Sequence, residues 1–162
     1  MNMKISWKDY LPVFYVYIFS FLITLNLTFY YTLVLRPSIL YFLGFFSFIF
    51  AVLKIINLKG FVESFSEYDF ISKKIIYYAY AFPFLELFFG LTFILLYENT
   101  VLTALCFIFY FLNLISVVRA LFKKKSFVCA CLGGLFNIPL SYISLLENIT
   151  MLIGIIYLFI IR

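Results

Sequence analysis

The sequence predicts an all-α protein, a polytopic transmembrane helical bundle of about five spans, and three observations lead there. Of its 162 residues, 67% are hydrophobic and 12% are charged, whereas a soluble domain is about half apolar and about a quarter charged. The apolar residues fall in long continuous runs, such as residues 41–53. A membrane β-barrel would instead alternate polar and apolar residues over about 10 positions. The length holds four or five stretches of about 20 residues, which makes one bundle, so residues 1–162 read as a single integral membrane domain. A water-soluble fold of this size still exposes roughly 30% of its unfolded surface, more than so few polar residues can cover.

The first apolar run covers residues 10–35. Lys4, Lys8 and Asp9 precede it as in a signal peptide, but the run is too long for an h-region and ends without a small-residue cleavage site. It reads as a retained span. Arg36-Pro37-Ser38 is expected to form a tight turn, because Pro37 disfavours helix at Arg36. A second run follows over 39–56. Residues 57–74 are the first polar stretch, with Phe61, Val62, Phe65 and Tyr68 at helical spacing. This predicts an amphipathic segment lying in the membrane interface.

The third run, 75–97, contains Pro83 and Glu86. Pro83 should kink the helix there and free a carbonyl. Glu98-Asn99 turns the chain into a fourth run, 100–121. A basic cluster follows, Arg119 and Lys123 to Lys125, and then Cys129-Ala-Cys131-Leu-Gly133-Gly134. The fifth run covers 140–161, with Asn137 placed to cap it and Pro139 suited to its first turn.

Short loops rich in Lys and Arg stay on the cytoplasmic side. With five spans, the N-terminus and the loops at 57–74 and 119–139 share one side. That side gathers Lys4, Lys8, Lys59, Lys73, Lys74, Arg119 and Lys123 to Lys125, with Lys54 added if it snorkels out, against Arg36 and Arg162 on the other. The expected orientation is N-terminus in, C-terminus out. The net charge of +5 therefore reads as orientation, with the lipid bilayer as partner, and nucleic acid is excluded for want of an aromatic-basic patch in water.

The chain contains no His, which removes the usual Ser-His-Asp and Cys-His triads and imidazole-held zinc and haem. No glycine-rich phosphate loop is present, and no cofactor is read. Asn26-Leu-Thr28 and Asn148-Ile-Thr150 match a glycosylation sequon but lie in apolar runs and read as chance.

Few reactive candidates remain. Cys129 and Cys131, one residue apart, can be redox partners or soft-metal ligands for Cu(I) or Zn(II), and the neighbouring Lys123 to Lys125 favour the thiolate. Two small apolar residues in a loop are the plain alternative. Cys106, in mid-span, reads as packing. Glu86 lies deep in the third run, where an ionisable group faces the bundle and has a partner. Lys54, at the end of the second run, is that expected partner: an ion pair that fixes packing, or part of a proton or ion path. Ser144-Leu-Leu-Glu147 has capping-box form, which gives Glu147 a structural role.

The order of these residues resembles the MauE/DoxX-like family of redox-associated membrane proteins. The resemblance rests on Phe50-Ala-Val-Leu-Lys54, Leu58-Lys59-Gly60-Phe61, Tyr68-Asp69, Phe82-Pro83-Phe84-Leu85-Glu86, Cys129-Ala-Cys131-Leu-Gly133 and Asn137-Ile-Pro139, across about residues 45–162. It implies a four-helix core over 39–162 with the 10–35 span added in front, in a bacterial inner membrane. It also implies a role near methylamine utilisation and the maturation of a disulfide-rich partner. One departure is visible: Cys-Gly-Cys-Phe-Gly, usual in the family, is Cys-Ala-Cys-Leu-Gly here. Ala130 stiffens the step between the thiols, and a disulfide closing so short a ring is strained, which favours exchange with a partner or metal capture.

The leading expectation is a redox-associated accessory protein whose Cys129 and Cys131 exchange with a thioredoxin-like protein or a disulfide-bearing client. The alternatives are a soft-metal transport helper, with Cys129 and Cys131 as metal ligands, and an assembly subunit without chemistry. Charge counting puts the thiols on the cytoplasmic side, where thiols are kept reduced, whereas disulfide maturation belongs outside.

Overall fold

A computed structural model describes residues 11–31, 35–97, 99–122 and 143–160. These form six helices: α1 (Leu11–Tyr31), α2 (Leu35–Ile56), α3 (Leu58–Tyr68), α4 (Ile76–Ile94), α5 (Thr100–Phe122) and α6 (Ile143–Ile160). No strand occurs among the described residues. All but α3 are long and apolar enough to cross a bilayer, and the chain is a multi-pass membrane protein. Large apolar side chains such as Phe19, Phe29, Tyr77, Phe88, Val101 and Ile153 point outward from the bundle. In water they would be a liability; against lipid tails they are solvated.

Helix α2 begins at Leu35, so Arg36 and Pro37 lie in its first turn and do not form the expected separate turn. The reason is local. The first turn has no intrahelical use for the N–H that proline lacks, and the ring sets a helical φ. Helix α4 continues through Pro83 and ends at Ile94, three residues before the end of the apolar run. It closes in a Schellman motif: Tyr97 N donates to Thr92 O and Leu96 N to Phe93 O. Leu96 takes φ 53° to do so, in the left-handed region usually left to glycine.

Helix α3 is capped by Asn57, whose side chain accepts from Gly60 N at 3.3 Å. Its apolar face, expected in the membrane interface, is turned into the bundle. Phe61, Val62, Phe65 and Tyr68 are all buried, and Phe65 packs against Phe82 of α4 at 4.7 Å between ring centroids. A short helix thereby covers one end of the spans.

The closest pairing is between α2 and α4. A Cβ on Gly44 would lie 2.8 Å from Ile94 N, and one on Gly90 would lie 2.9 Å from Phe48 N. Only glycine lets the two backbones approach this far, the small-residue packing that holds helices together in lipid. Helix α1 touches the rest more lightly, with Tyr17 bridging to Thr150 of α6 at 2.6 Å and packing on Phe46 of α2.

Candidate functional site

Three spans converge on one ammonium group. Lys54 lies near the C-terminal end of α2, and helical side chains lean toward their own helix N-terminus, so its stem points back into the bundle. Ser47, two turns earlier, donates to the Glu86 carbonyl at 3.0 Å, which sets the level of Glu86 relative to α2. The Lys54 Nζ then lies 2.9 Å from Glu86 Oε1, 2.7 Å from Glu86 Oε2 and 2.6 Å from Glu147 Oε1. All three groups are sealed from the surface, at 2%, 0% and 3% exposure for Lys54, Glu86 and Glu147. These are charge-assisted bonds in a low-dielectric interior, the strong kind.

The surroundings are chosen to match. Phe82, Phe50 and Phe61 place their ring centroids 5.4, 5.7 and 6.0 Å from Lys54 Nζ, within range of cation–π attraction. Tyr110 of α5 puts its hydroxyl 2.8 Å from Ser47 Oγ and 3.4 Å from Glu86 Oε1. Every span except α1 thus contributes to the cluster, and α3 closes it from the end with Phe61. One ammonium faces two carboxyl groups, so the cluster holds one acid more than a simple ion pair needs.

The structure places Lys54 and Glu86 in direct contact. Glu147 is the third member: its expected structural role is exercised across the bundle, on Lys54, and not through the capping-box spacing. Helix α6 is already under way at Ile143, so the Glu147 carboxylate is free to turn inward, and it reaches Lys54. The signal was present in the sequence: a second carboxylate within a span also needs a partner, and Lys54 was the cation in reach. Cys106 is buried in α5, surrounded by packing. Cys129 and Cys131 lie outside the described residues. No group of three or more His, Cys, Asp or Glu that could hold a metal occurs among the described residues.

A second polar locus lies beyond the cluster, where α3 meets α5. Asp69 ends α3, and its Oδ1 accepts from Ile71 N at 3.0 Å and Ser72 N at 2.6 Å. Its Oδ2 accepts from Ser116 Oγ of α5 at 2.6 Å. One buried carboxylate therefore shapes the α3–α4 turn and fastens it to α5. Neighbouring Tyr68 hydrogen-bonds Ser144 at the start of α6, and burial pushes its phenol well above the ordinary value. The end of α5 and the start of α6, which flank residues 123–142, are both tied to α3 and its turn.

Fold and site define a class: a polytopic helical-bundle membrane protein with an ion cluster sealed inside one end of the bundle. The chain belongs to the family described as methylamine utilisation protein MauE, which matches residues 25–161. The match starts inside α1 and takes in Lys54, Glu86, Glu147 and both Cys129 and Cys131. Family and spans together make it a membrane accessory protein. No curated protein and no solved structure matches the chain.

Proposed function

We propose that the chain is an accessory protein of a bacterial inner membrane that rearranges disulfides of a partner protein through Cys129 and Cys131. What supports this reading is the family match, which spans both cysteines, together with the position of the pair in the sequence. The pair lies in the stretch joining α5 to α6, whose flanking ends are held by the Ser116–Asp69 and Tyr68–Ser144 bonds and by Glu147 on Lys54. The helices form a fixed frame with α1 as an added span, and the reaction is assigned to the thiols of Cys129 and Cys131 in the sequence between α5 and α6.

The chemistry balances without an outside oxidant. A thiolate of the pair attacks one sulfur of a partner disulfide, and that S–S bond breaks as a mixed disulfide forms. The departing partner sulfur leaves as thiolate and takes up the proton that the attacking thiol released. Another thiol of the partner then attacks the mixed disulfide, forming a new partner disulfide and returning the original thiol. The client is a disulfide-bearing or thioredoxin-like protein, and the site connects to methylamine utilisation through the family.

Alkylation trapping in native membranes tests this. The expected result is a mixed disulfide at Cys129 or Cys131 that disappears in Cys129→Ser/Cys131→Ser. If both thiols stay reduced without an adduct, and the double variant retains function, the thiol reading fails. Stoichiometric copper or zinc in the purified protein, lost on Cys131→Ser, would transfer the pair to soft-metal handling.

A further inference from the structure

The cavity between the α3–α4 turn and α5 lies outside the ion cluster. Lys73 and Lys74 of the turn and Arg119 of α5 line it, with Tyr68 and Ser116 among its other walls. We propose that this cavity is an anion site that takes a phosphate group, carried by an anionic lipid headgroup or present as free inorganic phosphate.

Four features carry the assignment. First, three cations from two separate elements converge on one concavity, and among the described residues none of them forms a salt bridge to a carboxylate; the bridges present belong to Lys54. Second, the backbone that carries the cations is held in place. Asp69 fixes the turn bearing Lys73 and Lys74 through two backbone N–H groups and fastens it to Ser116, one helical turn before Arg119. The Arg119 guanidinium also lies over the Phe70 ring, 5.9 Å from its centroid. Third, no carboxylate is among the residues lining the cavity, and the Asp69 carboxylate that ties the turn to α5 does not oppose an anion. Asp69 is buried, does not line the cavity and has both oxygens occupied by donors. Fourth, the size fits. The cavity measures about 220 Å³, below the roughly 300–1,000 Å³ of sites for larger organic ligands, and suits a phosphate with its ester arm.

Orientation alone does not require this arrangement. Lysines that only mark the cytoplasmic side need to be near the headgroups, and splayed chains satisfy that. Here Arg supplies a planar fork suited to phosphate oxygens, and the two Lys supply point charges beside it.

The test uses the full chain purified in a neutral detergent, with binding read by native mass spectrometry and by thermal shift. The probes are phosphatidylglycerol, phosphatidylcholine and inorganic phosphate in separate arms. Phosphatidylglycerol is expected to be retained over phosphatidylcholine. Each cation replaced, as in Lys73→Gln, Lys74→Gln or Arg119→Gln, is expected to weaken it about five-fold. Lys59→Gln removes an equal charge from α3 outside the cavity and is expected to leave binding unchanged. Binding by the lipid arm alone assigns the headgroup as the source; a stabilising shift with inorganic phosphate, lost in Arg119→Gln, assigns the free anion. Equal retention of both lipids with no effect of phosphate overturns the site. So does a loss in Lys59→Gln as large as in Arg119→Gln, which would mean diffuse surface charge. Lys73 and Lys74 are exposed turn residues, so their variants remain informative if Arg119→Gln fails to fold.

Discussion

Lys54 is the residue on which the interior depends most. Removing a buried cation leaves its partners uncompensated, which costs about 3–5 kcal/mol. Lys54→Met strands both Glu86 and Glu147, whose oxygens lie 2.7 and 2.6 Å from Nζ. Glu147→Gln keeps a polar group in place and leaves a one-to-one pair, so its cost should be about 1 kcal/mol. Thermal unfolding of both variants in detergent measures the asymmetry, and equal destabilisation would show that the three groups do not act as one cluster. The sequence exposed two of these residues because they break apolar runs. It marked the third in the same way but left its partner open, since Glu147 sits where a capping box also explains it, and local spacing cannot tell a carboxylate turned to its own helix from one turned across the bundle.

Among the elements, the α2–α4 pair is the tightest, and its glycines set the separation. A Cβ on Gly90 would lie 2.9 Å from a backbone nitrogen of α2, an atom that cannot rotate away. Gly90→Val must therefore part the helices, and overpacking of this kind costs about 1–3 kcal/mol. It should also loosen the Lys54–Glu86 contact across the same interface. The expected reading is a lower unfolding temperature together with faster hydrogen exchange near Lys54. A variant as stable as the parent would mean that α2 and α4 do not meet through Gly44 and Gly90. Helix α3 shows a limit of the periodicity argument. Phe61, Val62, Phe65 and Tyr68 revealed an apolar face, but a hydrophobic face fits lipid or protein equally well. The bundle won because Phe82 and the Lys54 cluster offered it a surface to cover.

At the scale of the molecule, charge sets the sidedness. Lys and Arg counting puts the N-terminus and the loops at 57–74 and 119–139 on the cytoplasmic side. Cys129 is therefore expected to resist a membrane-impermeant thiol reagent in intact cells and to react after the membrane is opened. Labelling from outside would reverse the orientation and put the thiols where disulfides form. The same measurement fixes which leaflet the Lys73, Lys74 and Arg119 cavity faces, since the α3–α4 turn and the end of α5 share that side.

The sequence alone determined that the chain is a helical bundle in lipid, with about five spans and with Lys54, Glu86, Cys129 and Cys131 as residues worth weighing. Hydropathy fixes these things because a backbone in hydrocarbon has few ways to satisfy its own hydrogen bonds. Tertiary structure decided the rest: that Glu147 completes the Lys54 cluster, that α3 closes the bundle end, that α2 begins before Pro37, and that Asp69 ties the turn bearing Lys73 and Lys74 to Ser116 of α5. Each of these joins residues from different elements or balances a local preference against a packed neighbour. Such contacts depend on distances across the bundle, which a linear pattern of apolar and polar residues does not contain.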